Sequence, residues 1–136
     1  MQKAFLSPIL RKPDASLVLL NARTGIVLAH SLTAAFDSKT RRTGLLGQDR
    51  LEEGHALIIA PTNAVHTFFM RFAIDVVFVR KDGLVVRTHH AVKPWRIAGA
   101  LRGHAAIELP AGTLANSDTV RGDQLVITTP PQATMF

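Results

Sequence analysis

The chain has 136 residues, of which 47% are apolar and 19% charged; it contains no cysteine and carries a net charge of +6. That length suits one domain with its own core, and the apolar share is too high for a disordered chain. Disulfides, thiolate metal centres and cysteine nucleophiles are excluded, and no apolar run approaches the roughly eighteen residues of a membrane span.

Residues 1–15 (MQKAFLSPILRKPDA) read as a loose N-terminal arm, interrupted by Pro8 and Pro13. They hold no continuous apolar stretch followed by a small-residue cleavage site, so no secretory signal is expected and the expected location is cytoplasmic. SLVLLN (16–21) is a strand, ARTG a turn, and IVLAHSL (26–32) a returning strand. TAAFDSKTRRTGLLG (33–47) predicts a helix, with Thr33 or Asp37 as N-cap and Gly44 or Gly47 at its end. GHALIIAP (54–61) is a short apolar strand, and residues 62–73 are a connection. IDVVFV (74–79) and LVVRTHH (84–90) are strands joined through Asp82-Gly83, which predicts a two-residue type I′ turn. Residues 92–103 form a long loop, HAAIEL (104–109) a strand, PAGTLANSD a turn with room for one helical turn, and DQLVITT (123–129) the last strand. Residues 130–136 are a C-terminal tail. The globular domain therefore spans 16–129. About seven short strands with one or two short helices give an α+β fold, mainly β, built as a compact antiparallel partial barrel.

Asp75 stands inside an apolar strand. Burying an unpaired carboxylate costs several kcal/mol on the scale of charge desolvation, so Asp75 needs partners. Arg71 and the backbone amides of the preceding HTFFMRF loop are the nearest candidates, which makes Asp75 either a structural pin or the orienter of His66 or Arg71 in a pocket. Glu108, between Ile107 and Leu109, points away from both and is a second candidate for the polar core, paired with Arg71 or Arg96. In KPWR (93–96), Trp95 can cover a pocket or plug the end of the barrel, and Arg96 can fork onto a carboxylate or phosphate.

Other motifs carry less. The six histidines form no H-x-H or H-x-x-x-H pair, and the adjacent His89 and His90 face opposite sides of a strand, so no metal site is expected. No glycine-rich phosphate loop is present, and no cofactor is expected. The cations are dispersed, with one tryptophan and no tyrosine among them, so no specific nucleic-acid binding is expected. Arg121-Gly122-Asp123 reads as a turn opening the last strand.

The run VHTFFMRFAIDVVFVRKDGLVV (65–86) resembles the signature of an uncharacterised bacterial and archaeal family, domain of unknown function 192. RTGLLGQDRL (42–51), KPWR, IELPAG (107–112) and GDQL (122–125) resemble its other blocks in order, so the likeness covers residues 38–127. Ala73 stands where the family commonly has proline, Gly47-Gln48 replaces a usual Phe-Arg, and Val79-Arg80 replaces a common Leu-Asp. The resemblance implies a small fold of chiefly antiparallel β-structure with short helices, and no established reaction.

The leading expectation is a non-enzymatic binding or accessory domain for a small anionic ligand or a protein segment, favoured by the basic balance. Its pocket would be framed by His66, Thr67, Arg71, Asp75, Trp95 and Arg96. The alternative is a hydrolase in which His66, oriented by Asp75, activates a water. Neither the ligand nor the oligomeric state can be read from the residues.

Overall fold

The structure is a computed structural model that describes residues 4–12 and 16–131. The remainder of the expected arm and most of the expected tail (1–3, 13–15 and 132–136) lie outside the described residues. In chain order the elements are α1 (Ser7–Arg11), β1 (Val18–Asn21), β2 (Val27–Ala29), β3 (Ser31–Ala35), α2 (Ser38–Thr43), β4 (His55–Ile59), β5 (Ala64–His66), β6 (Ile74–Val79), β7 (Val85–Val92), β8 (Ile97–Gly99), β9 (Ala105–Pro110), α3 (Thr113–Asn116) and β10 (Leu125–Thr128). The fold is α+β and mainly β.

A five-stranded sheet of order β3-β4-β9-β6-β7 divides the molecule. All six residues of β6 are buried, because β6 is an inner strand covered on both faces. Its odd and even positions feed two different cores. Val77 and Val79, with Ile58, Ile107 and Leu109, meet Leu19, Leu28, Leu125 and Ile127 of a second sheet of order β10-β1-β2. Ile74, Val76 and Phe78, with Leu57 and Ile59, meet Leu45, Met70 and Ala98 on the opposite side. That second side is roofed by α2 and by a small ribbon in which β5 pairs with β8. Each fully buried aliphatic or aromatic side chain here stabilises the fold by about 1.5–3 kcal/mol. The sheets are partial and do not close into a barrel.

All seven expected strands are present among the described residues, and the differences are local. The expected strand 26–32 breaks at His30, whose N–H donates, as does that of Ser31, to the carbonyl of Gly54 at 2.8 and 3.1 Å. The chain thereby leaves the small sheet and enters the large one. Gly54 permits this because it has φ +80° and no side chain: a Cβ there would stand 2.1 Å from His30 Nε2. Beyond the break, residues 31–35 are not helical but run parallel to β4, the one parallel pair in a sheet expected to be antiparallel. The helix starts only after Asp37, whose carboxylate accepts from Thr40 N at 2.8 Å. Of the two proposed caps, Asp37 is the one used, and Gly44 ends the helix.

The turn after β6 also differs. Gly83 has φ +89° while Asp82 stays outside the positive-φ region, so a type I′ turn is not formed. Instead Gly83 N donates to Arg80 O and Arg80 N to Leu84 O, which is a three-residue loop with a bulge. The segments 62–73 and 92–103, expected as connections, contain β5 and β8. Each is three residues long, too short to show any periodicity, and each is a strand because the other pairs with it. At the N-terminus, residues 4–12 lie along the body: Phe5 is buried, and its N–H donates to Lys81 O at 2.7 Å.

Candidate functional site

Asp75 is fully buried at the start of β6. Its Oδ1 accepts from Ala91 N at 2.8 Å, and its Oδ2 accepts from Gly112 N at 3.1 Å and Leu114 N at 2.9 Å. The carboxylate is compensated, as its burial demands, but not by the segment expected to do so. No bond comes from Arg71 or from residues 66–72. Strand order explains why: β6 lies between β7 and β9, so the end of β7 and the turn after β9 reach the carboxylate first. Asp75 ties those two chain ends together and orients neither His66 nor Arg71.

The other expected residues separate as well. Arg71 is exposed and donates to Asp49 at 2.6 Å. Thr67 is buried: its hydroxyl donates to Lys93 O at 2.6 Å and accepts from Arg96 N at 2.9 Å, while its own N–H donates to Arg96 O at 2.8 Å. It is a clamp between two loops. Trp95, at φ +67°, stands outside, stacked near Phe68 and tilted against Phe69, which has φ +64°. Arg96 is exposed and its Nη1 donates to the carbonyls of Pro94 and Trp95, at 3.4 Å each. Neither pairing expected for Glu108, with Arg71 or with Arg96, is made.

Glu108 instead defines a different site. It lies at the middle of β9, opposite Leu57 of β4 and Val76 of β6, on the face roofed by α2. It is 3% exposed, and its Oε2 has no hydrogen-bond partner among the described residues. Burial pushes its carboxyl up to about 7. Above it, between α2 and β5, is a cavity of about 420 Å³. Leu45 and Met70 supply apolar wall, and Arg41, Arg42 and His66 supply polar groups. Arg41 does not reach down to Glu108; its Nη1 donates to Phe36 O at 2.8 Å and Ala60 O at 3.4 Å. Arg42 and His66 are exposed at the rim.

Of the six residues expected to frame the pocket, only His66 lines this cavity. Arg41 and Arg42 are absent from that set, because in the sequence they stand only among the dispersed cations. The signal that points to the cavity is Glu108 itself, an acid on the inner face of a strand whose neighbours are apolar.

A polar rim, an apolar wall and an unsatisfied acid beneath them define a small mixed domain with a ligand-sized hollow on the helix-covered side of its sheet. The chain belongs to the family described as "Uncharacterized ACR", domain of unknown function 192, whose profile matches residues 20–127. No curated protein matches the chain. Among solved structures it is similar to a Sinorhizobium meliloti 1021 protein described as a "putative transcription regulator", with TM-score 0.70 and 20% identity over 80% of this chain and 89% of that one. It is also similar to a protein of unknown function from Novosphingobium aromaticivorans DSM 12444, with TM-score 0.69 and 19% identity over 80% of this chain and 81% of that one. At these identities the likeness shows the fold alone.

Proposed function

We propose that this chain is a non-enzymatic binding domain that holds a small ligand, with an anionic group at the rim, in the cavity between α2 and β5. The observation that carries this reading is the unpartnered Oε2 of Glu108 at the base of that cavity. Buried polar atoms are nearly always satisfied, and an orphan in a cavity wall has a natural complement in a bound molecule. The cavity's size is that of a small-molecule site, and its lining mixes apolar side chains such as Leu45, Ile59 and Met70 with polar ones. Arg42 and His66 at the rim supply donors for a carboxylate or phosphate.

The hydrolase reading lacks its geometry. The three bonds of Asp75 are all with backbone amides, and the ring Nδ1 of His66 accepts from Phe68 N at 3.3 Å. A protein segment as partner is favoured at another place. Phe69, Trp95 and Ile97 are 70%, 54% and 73% exposed, beside Lys93 and Arg96.

The test is a titration of the labelled protein with small carboxylates and phosphates, followed by amide chemical shifts. Shifts are expected at Leu45, His66 and Glu108, and Arg42→Ala should weaken the binding about tenfold. Shifts confined to other surfaces, or none, would remove the reading.

A further inference from the structure

We infer that the ligand of this cavity is amphoteric: a cationic amine enters first and meets Glu108, while a carboxylate or phosphate stays at the rim against Arg42 and His66. This inference rests on the cavity being the binding site. It is drawn from the order of charge along the cavity. The acid is at the base, on an inner strand, 3% exposed and without a partner on Oε2. Leu45, Ile59 and Met70 supply the apolar part of the wall. The bases are at the mouth, with Arg42 and His66 both exposed.

Arg41 lines the same cavity as Glu108 and is less exposed than Arg42, but it is committed elsewhere. Its Nη1 bridges the carbonyls of Phe36 and Ala60, which fixes the segment before α2 to the end of β4. Among the described residues, therefore, no positive charge pairs with the acid at the base of the hollow. A ligand that carries one removes the desolvation cost of the acid by pairing with it, and a charge-assisted N–H···O bond in an apolar site is among the stronger polar contacts. A purely anionic ligand cannot do this. It would meet Glu108 as a neutral acid at best, and as a like charge at worst. The complement of acid inside and base outside is an amine inside and an acid outside, joined by a short apolar chain that fits about 420 Å³.

Three probes of equal chain length separate the ends: 6-aminohexanoate, hexanoate and hexylamine, titrated calorimetrically and by amide shifts against the whole chain. 6-Aminohexanoate is expected to bind about tenfold or more tighter than either single-ended probe. Glu108→Gln should erase its advantage over hexanoate, and Arg42→Ala its advantage over hexylamine. The ranking in the unaltered protein does not depend on either variant folding. Hexanoate binding as tightly as 6-aminohexanoate, with shifts at Leu45 and His66, would overturn the amphoteric ligand and leave the cavity as an anion site. Failure of all three probes to move any amide around the cavity would overturn both.

Discussion

The Oδ2 of Asp75 and the amide of Leu114 are 2.9 Å apart across 39 residues of chain. With the bonds from Gly112 and Ala91, this contact joins the start of β6 to the turn that leads into α3 and to the end of β7. Leu114 itself is fully buried in the core between the two larger sheets. The acid therefore holds a loop whose side chain closes that core.

Asp75→Asn tests this directly. The amide side chain keeps one acceptor and turns a donor toward one or two of the three N–H groups. A lost bond to a charged acceptor costs about 1.5–3 kcal/mol, so a loss near 3 kcal/mol is expected. Thermal denaturation should show it, together with faster amide exchange at Gly112 and Leu114. A near-native melting temperature would contradict the pin.

Glu108 makes stability depend on pH in a defined window. Its folded carboxyl is raised by burial to about 7, above its ordinary value of 4.5. Between those values the folded chain holds a proton that the unfolded chain has released, so stability falls as pH rises and then levels off above about 7. The span corresponds to about 3 kcal/mol. Melting temperatures from pH 4.5 to 8 should decline in the natural chain, and Glu108→Gln should flatten that decline and be the more stable form at pH 8. A natural chain whose melting temperature does not fall over that range would count against a buried, unpaired acid.

Asp123 acts with the opposite sign. It is 4% exposed; its Oδ1 accepts from Arg23 Nε at 2.6 Å, and its Oδ2 accepts from Asn21 Nδ2 and Val120 N, both at 2.9 Å. The Arg23 hydrogen bond, followed by those amides, holds its carboxyl well below the usual carboxylate range. Its contribution is present above the unfolded value, near about 4, and is lost as pH falls toward the depressed folded one. Asp123→Asn should reduce the acid sensitivity of unfolding below pH 4 while lowering stability at pH 7 by about 2 kcal/mol. Acid-induced unfolding curves of the two proteins that superimpose would exclude the role. The same bonds occupy the aspartate of Arg121-Gly122-Asp123, which is a turn opening β10, as the sequence suggests.

Thr67 holds the loop that presents the chain's single tryptophan. Thr67→Val keeps the shape and removes the hydroxyl that joins Lys93 O to Arg96 N. A cost of about 1 kcal/mol is expected from the part-buried carbonyl and amide left unpaired. Trp95, held at positive φ by this loop, should become more mobile, with lower fluorescence anisotropy. Unchanged anisotropy and stability together would show that the clamp is not needed.

Much of the fold was legible from local pattern. The two-face burial of IDVVFV, the Asp37 cap and the Gly44 stop follow from residue chemistry that acts within a few positions. The family was legible as well, because its blocks recur in order along 38–127 and the profile match covers 20–127. What misled was reach. Ala34 and Ala35 suit a helix by local preference, yet with Thr33 they form a strand because they lie parallel to β4. Arg71 is the cation nearest to Asp75 along the chain, four residues away, yet sheet order brings amides from residues 91, 112 and 114 to the carboxylate instead.

That Asp75 must be neutralised and that Glu108 faces away from its apolar neighbours follows from residue order alone, since desolvation cost and strand alternation are properties of residues and their spacing. That amides neutralise the first acid, and that no group among the described residues pairs with Oε2 of the second, emerges only once the chain is folded. Which donor reaches a buried carboxylate is fixed by which strands lie beside it, and that order is set by packing across the whole domain.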